Sequence, residues 1–170
     1  FPEDPKTIKI IYKSAYPLYN KNQFKKASDR FRIVIAMNPK ARQSEQAANL
    51  ILDSFALVED WKNLKEVSKA FYDQEGLGSS AFKKEVYNVY ERSSFKLIEV
   101  GFASDSDKVK AANGYKAFYA EFPESEVADV ALNNAAVYYY DEQMRKEAME
   151  IRHLLIDNFP KSKFYKDQIG

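Results

Sequence analysis

Cysteine is absent from this chain. That removes disulfides and thiolate chemistry, and it is compatible with any compartment. Histidine occurs once, at His153, so a site that needs two imidazoles cannot be built. Glycine and proline are scarce, five and six in 170 residues, as suits a nearly all-helical protein. No apolar run approaches the roughly 18–20 residues that a bilayer-spanning helix needs, so no direct membrane span is expected. An excess of one charge is missing too: 26 basic and 25 acidic side chains leave a net charge of +1. That near-balance gives no electrostatic reason to expect nucleic acid, whose binding needs a concentrated cationic face.

What the chain does have is apolar residues, 45% of it, ample for a core. Its 170 residues allow one domain or two. It starts at Phe1 and carries no signal peptide. The expectation is therefore a fragment, or the mature core, of a longer chain, with any targeting signal outside it.

Five positions recur at a fixed interval. Pro2, Pro39 and Gly76 are 37 residues apart, Pro123 and Pro160 are again 37 apart, and Gly76 to Pro123 is 47. Ala27, Ala111 and Ala148 each lie 12 residues ahead of one of these prolines. A period between about 20 and 50 residues marks a stacked repeat array. It points function toward a surface and away from a catalytic pocket. Counting back from each marker predicts units over about 8–44, 45–78, 79–125 and 126–160, a single array across residues 1–170, with the start of a following helix at 161–170.

Each unit reads as two helices. The second helices place Phe24, Ala27, Phe31 and Val34; Trp61, Leu64, Ser68 and Phe71; Ala111, Tyr115 and Phe118; and Ala148, Arg152 and Leu155 on apolar stripes at steps of three and four. The proline that follows ends the helix, because it lacks a donor and disfavours helix just before itself. The first helices read Ile11, Ser14, Ala15, Leu18; Ala48, Ile51, Leu52, Phe55; Phe95, Ile98, Glu99, Phe102; and Leu132, Ala135, Ala136, Tyr139. Small Ala15 and Ala136 let a partner helix approach closely, while Leu52 and Glu99 stand in that slot elsewhere. Trp61 occupies an aromatic core slot. Asp4 ahead of Pro5, then Asn22, Asp60, Asp107 and Asp141, and Ser44, Ser125 and Ser162, are the expected helix caps. Ten extra residues around Ser79–Glu91 keep helical spacing through Phe82, Val86 and Tyr90, which predicts one long helix from about Ser80 to Phe102. Pro17 predicts a bend or an early end near Lys13–Pro17. No single pair has enough apolar side chains to offset the entropy of ordering it, so the units must stack.

The pattern Phe24, Ala27, Phe31, Val34, Pro39, with Leu132, Ala135, Ala136 and Tyr139, resembles the tetratricopeptide repeat. The resemblance covers almost the whole chain. The usual repeat is 34 residues and these are 37. The Phe-Pro-x-Ser joints at Phe122–Ser125 and Phe159–Ser162 resemble a bacterial envelope branch, which includes the periplasmic coordinator of the Tol–Pal system and the helical lipoprotein of the β-barrel assembly machinery. Arg145 and Lys108 depart from it where an aromatic is usual, as does Glu99 in a small-residue slot. The resemblance implies an all-α fold: a right-handed superhelix, or α-solenoid, of about four stacked antiparallel helix pairs. Its first helices would line a concave face that binds peptides or protein segments. Some members clamp a terminal carboxylate with lysine and asparagine; here Lys9, Lys13, Gln46 and Leu50 occupy those places, so the clamp does not carry over.

The chemistry of enzymes is poorly supported. Glu150-Ile-Arg-His153 matches half of a di-iron motif that needs two histidines. A lone histidine supports no triad, and Gly76-x-Gly78 lacks the third glycine of a dinucleotide loop. No cofactor or metal is expected. The expected binding face is Lys9, Tyr12, Lys13, Tyr16 and Tyr19, then Asn49 and Asp53, then Lys96, then Asn133, Asn134, Val137, Tyr140 and Asp141. Aromatic bodies with polar tips suit protein recognition. The expected function is a noncatalytic scaffold holding a protein or peptide partner in the bacterial periplasm or cell envelope, with the cytoplasm as the alternative compartment. A structural spacer that self-associates is the alternative function, and a helical enzyme or metal protein the third.

Overall fold

In the computed structural model, which describes residues 4–164, the chain is all-α. The helices are α1 (Pro5–Asn20), α2 (Phe24–Met37), α3 (Arg42–Leu57), α4 (Trp61–Asp73), α5 (Ser80–Asp105), α6 (Lys108–Glu121), α7 (Ala128–Asp141) and α8 (Arg145–Asn158). No strand occurs among the described residues. Two compact units divide the chain, Phe1–Ser93 and Ser94–Gly170. The markers Phe1 and Pro2, and residues 165–170 of the expected following helix, lie outside the described residues.

The period reappears as backbone geometry. Asn22, Glu59, Ser106 and Gln143 all adopt positive φ, at 57°, 54°, 56° and 63°. Their spacings are 37, 47 and 37 residues. Each sits in the short turn between two consecutive helices. In three of the turns the next residue donates its N–H five residues back: Gln23 to Leu18 O, Asp60 to Phe55 O and Met144 to Tyr139 O, each at 2.9 Å. This 6→1 bond around a left-handed residue closes a helix C-terminus by satisfying a carbonyl left open there. None of the four is glycine, so each turn carries strain. Glu59→Gly is expected to stabilise the first unit by up to about 1 kcal/mol, read as a rise in the urea midpoint. A fall would mean that the Glu59 side chain holds the turn.

The second kind of joint repeats as well. Asn38, Phe122 and Phe159 accept from the N–H three residues on, at 3.1, 3.1 and 3.0 Å, with Pro39, Pro123 and Pro160 in the second position where their fixed φ fits a turn. Gly76 keeps the interval but not the role. Its turn runs from Gln74 to Leu77, with Gly76 third and φ at 74°.

In the first unit α1 packs on α2, α2 on α3, α3 on α4, and α1 on α3. The core takes Ala27, Phe31 and Val34 from α2, Ala48, Ile51 and Leu52 from α3, Leu64 and Phe71 from α4, and Phe82 and Val86 from α5. Half-buried Trp61 packs against it. Lys83 Nζ donates to the carbonyls of Phe71, Tyr72 and Gln74 at 2.6, 2.8 and 2.6 Å. A cation there meets the negative end of α4. Burial holds its ammonium pKa below the usual lysine value, with Asp73 pulling the other way.

In the second unit α6 packs on α7 and α7 on α8. Leu132, Ala135, Ala136 and Tyr139 are buried, as are Ala111, Tyr115, Phe118, Ala148 and Leu155. The Tyr139 hydroxyl donates to Asn113 Oδ1 at 2.6 Å. Phe95 sets its ring 5.3 Å from Tyr115 and 5.2 Å from Phe118.

Several local expectations need correction. Asp4, Asp60 and Asp107 do cap their helices, but Asn22 is the left-handed turn residue and Asp141 still lies inside α7. Ser44 lies within α3, where its hydroxyl donates to the carbonyls of Val34 and Asn38. Ser125 precedes α7 by three residues, and Val127 holds the cap position. At Ser162 the residues through Phe164 form a turn; its hydroxyl accepts from Phe164 N–H at 3.2 Å and donates to Asp129 Oδ2 at 2.6 Å, and the helix expected after this cap lies outside the described residues. Ser14 is exposed because Ala15 takes the contact. Pro17 does not end α1, which continues to Asn20: it falls in the last turn, where only the bond to Lys13 O is lost. The long helix is present and reaches Asp105, three residues past Phe102.

Candidate partner-binding site

Tyr12, Tyr16 and Tyr19 follow one another at steps of four and three, so α1 carries them on one face. Their rings stack in sequence, Tyr12 to Tyr16 at 6.4 Å and Tyr16 to Tyr19 at 6.3 Å. The two outer rings are seated on α2, Tyr12 against Phe31 at 5.6 Å and Tyr19 against Phe24 at 5.5 Å. Tyr16 stands clear, 45% exposed. Lys9 and Lys13 are exposed beside it.

The stripe ends at α3. The Tyr19 hydroxyl donates to the Asp53 carboxylate. That hydrogen bond, then burial, then the Asp53 charge push the Tyr19 pKa up to about 12. Asp53 and Asn49, both exposed and four residues apart, border a groove of about 360 Å3 lined by Leu50, Leu52, Ala56, Leu64 and Val89. A raised tyrosine pKa adds stability that is complete below the ordinary value near 10 and is lost as pH rises through about 12. Asp53→Ala is expected to bring the Tyr19 titration back toward about 10, followed by the NMR shift of its ring. No change would mean that burial alone sets it.

The near-neutral total hides a strong local charge. Residues 5–42 carry ten lysines and arginines and one acid, Asp29. All ten cations are exposed, and Asp29 is paired with Lys25 at 3.5 Å. Whole-chain counting averaged this away; counting charge helix by helix finds it.

The remaining candidates belong to the second unit. Lys96 is paired with Glu99 at 3.1 Å. Asn133 and Asn134 are half-buried, and Asn134 hydrogen-bonds the Tyr115 hydroxyl, whose pKa burial nonetheless raises. Val137 and Tyr140 are 40% and 50% exposed. Arg152 and Arg145 of α8 lie 5.1 and 5.9 Å from the Tyr140 ring, an attraction worth about 0.5–1 kcal/mol at an exposed site. Asp141 accepts from Lys108 Nζ at 2.6 Å, joining α7 to α6. A second pocket, about 200 Å3 and mostly apolar, lies between α5 and α6 around Ile98, Phe102 and Ala111. So the structure sets the α3 candidates Asn49 and Asp53 on one groove and ties the α1 stripe to it through Tyr19 alone. It sets Asn134 against α6 and Tyr140 under α8.

His153 and Glu150 are exposed. Among the described residues no cluster of three histidine, aspartate or glutamate side chains is placed to hold a metal, and no helix is long and apolar enough to cross a membrane. No protein-family model matches the chain, and no curated protein matches it.

Proposed function

We propose that this chain is a noncatalytic scaffold of tetratricopeptide type, a right-handed superhelix of four antiparallel helix pairs that holds a protein or peptide partner within a bacterial envelope complex. The observation that carries the reading is the α1 tyrosine stripe joined through Tyr19 and Asp53 to an apolar groove. Rings with polar tips beside a concave apolar surface are the usual make-up of a protein-recognition site. The interval of 37, 47 and 37 residues kept by the left-handed turns supports the repeat.

Tyr16→Ala is the cleaner probe, because Tyr12 also packs on Phe31 and its loss would disturb the core. The partner should be recovered by crosslinking with the native chain and lost with Tyr16→Ala, while an Arg32→Ala control on α2 retains it. Binding that survives Tyr16→Ala and fails in the control would place the partner on another surface.

A spacer that self-associates is the second reading, favoured by the opposite charges of the two units: residues 121–158 carry nine acids against three cations, unlike residues 5–42. Light scattering at low salt tests it, since a strictly monomeric chain at high concentration rules it out.

A further inference from the structure

We propose that the α1 face of the first unit selects an acidic, extended protein segment bearing one apolar anchor a few residues from its acidic cluster. This rests on the protein-binding reading above and names the partner's chemistry. Lys9 and Lys13 flank the tyrosine stripe, both exposed, inside a stretch with ten exposed cations and one acid. Such a field draws in negative charge and rejects positive partners.

The far end of the face has different chemistry. There the Asn49 side chain offers both a donor and an acceptor to a peptide backbone, and Leu50, Leu52, Ala56, Leu64 and Val89 line a groove that takes an apolar side chain. Tyr19, bonded to Asp53, marks that end. At about 1.5 Å per residue, Lys13 and Lys9 lie roughly 9 and 15 Å along α1 from Tyr19. An extended segment covers that span in roughly three to five residues at about 3.3 Å each.

Single-stranded nucleic acid is the rival occupant, since it also uses cations and aromatic rings. The geometry disfavours it. The tyrosine rings already stack on one another, Tyr16 between Tyr12 and Tyr19, and Tyr12 and Tyr19 also pack at a tilt against α2, so a base would have to displace ring contacts already made. The Asp53 carboxylate beside the groove repels phosphate.

The test uses the whole chain and fluorescence anisotropy. The probes are a twelve-residue glycine–serine peptide with three adjacent glutamates and a leucine four residues on, its twin with lysine for glutamate, a third with glycine for leucine, and oligothymidylate of twelve nucleotides. The acidic peptide is expected to bind about tenfold tighter than the lysine twin and the glycine variant, with a preference that shrinks as salt rises. Lys9→Glu with Lys13→Glu should invert the charge preference. Lys116→Glu with Lys146→Glu, exposed cations of the second unit outside that stretch, should leave it intact. Circular dichroism melts confirm that each variant is folded. No saturable binding of the acidic peptide at millimolar concentration overturns the proposal, as does tighter binding of oligothymidylate. Equal binding of the acidic and lysine peptides, both lost in Tyr16→Ala, overturns the charge assignment and leaves the binding face standing. Binding indifferent to Tyr16 and to both lysine pairs overturns the face as well.

Discussion

Replacing Phe31 with alanine is expected to destabilise the first unit by about 3–5 kcal/mol, read from the denaturant midpoint by circular dichroism. Phe31 is fully buried, on the inner stripe of α2. Its ring lies 5.6 Å from Tyr12, so truncation opens a cavity at the seam between α2 and α1. The same change removes the surface on which Tyr12 rests. Two readouts should therefore move together: stability, and the NMR shifts of the tyrosine stripe. A loss below about 1 kcal/mol would mean that the seam collapses onto the gap. Phe31 would then not be what holds these two helices together.

Gly78→Ala is the second large effect, expected to cost roughly 2–5 kcal/mol. Two terms add. Gly78 has φ at 74°, where a residue with a Cβ pays about 1–2 kcal/mol. That Cβ would also stand 2.7 Å from Cγ of Phe82. Phe82 is 3% exposed, so its ring cannot swing aside without disturbing the core, an overpacking term of about 1–3 kcal/mol. Gly76→Ala is the internal control. Its φ is the same, but its Cβ would meet only the flexible side chain of Lys40, at 3.3 Å from Cε. It should cost the backbone term alone. Equal losses at the two positions, measured by urea unfolding, would show that the Phe82 contact is relieved without penalty.

Much of the helical framework was legible because its signal is local. Ala27, Phe31 and Val34 are buried where steps of three and four placed them, as are Leu132, Ala135 and Tyr139. Asp60 and Asp107 were readable as caps because an aspartate in non-helical backbone just ahead of a helix has N–H groups within reach. Asn22 and Asp141 carry suitable side chains too, but the turn between paired helices takes one residue into left-handed backbone and displaces the cap position. Sequence alone does not show which residue that will be, since Asn22, Glu59, Ser106 and Gln143 share no chemistry. Ser44 was misread for a related reason: its hydroxyl serves carbonyls of the preceding helix and turn, a contact that exists only after packing.

The arrangement of the candidate face was partly legible. Tyr12, Tyr16 and Tyr19 follow from spacing within one helix. Their link to Asp53 spans 34 residues, and the groove needs α3, α4 and α5 together, so neither could be read from one segment. The cationic stretch was legible in principle and was lost by averaging over a chain whose other half is acidic.

The border between the two units falls after Ser93, inside α5 rather than in a linker. Phe82 and Val86 at one end of that helix belong to the core of the first unit, while Phe95 at the other side of the border packs on Tyr115 and Phe118 in the second. A protease needs several residues of extended, accessible backbone, and this border offers hydrogen-bonded helix instead. Dissecting the chain for separate expression thus has no natural cut at its midpoint. Any fragment ending near residue 93 would leave the first unit with a frayed final helix, and the complementary fragment would begin without the turns that start α5. Each half would be better made with the whole of Ser80–Asp105 attached, so that the overlapping helix is present twice.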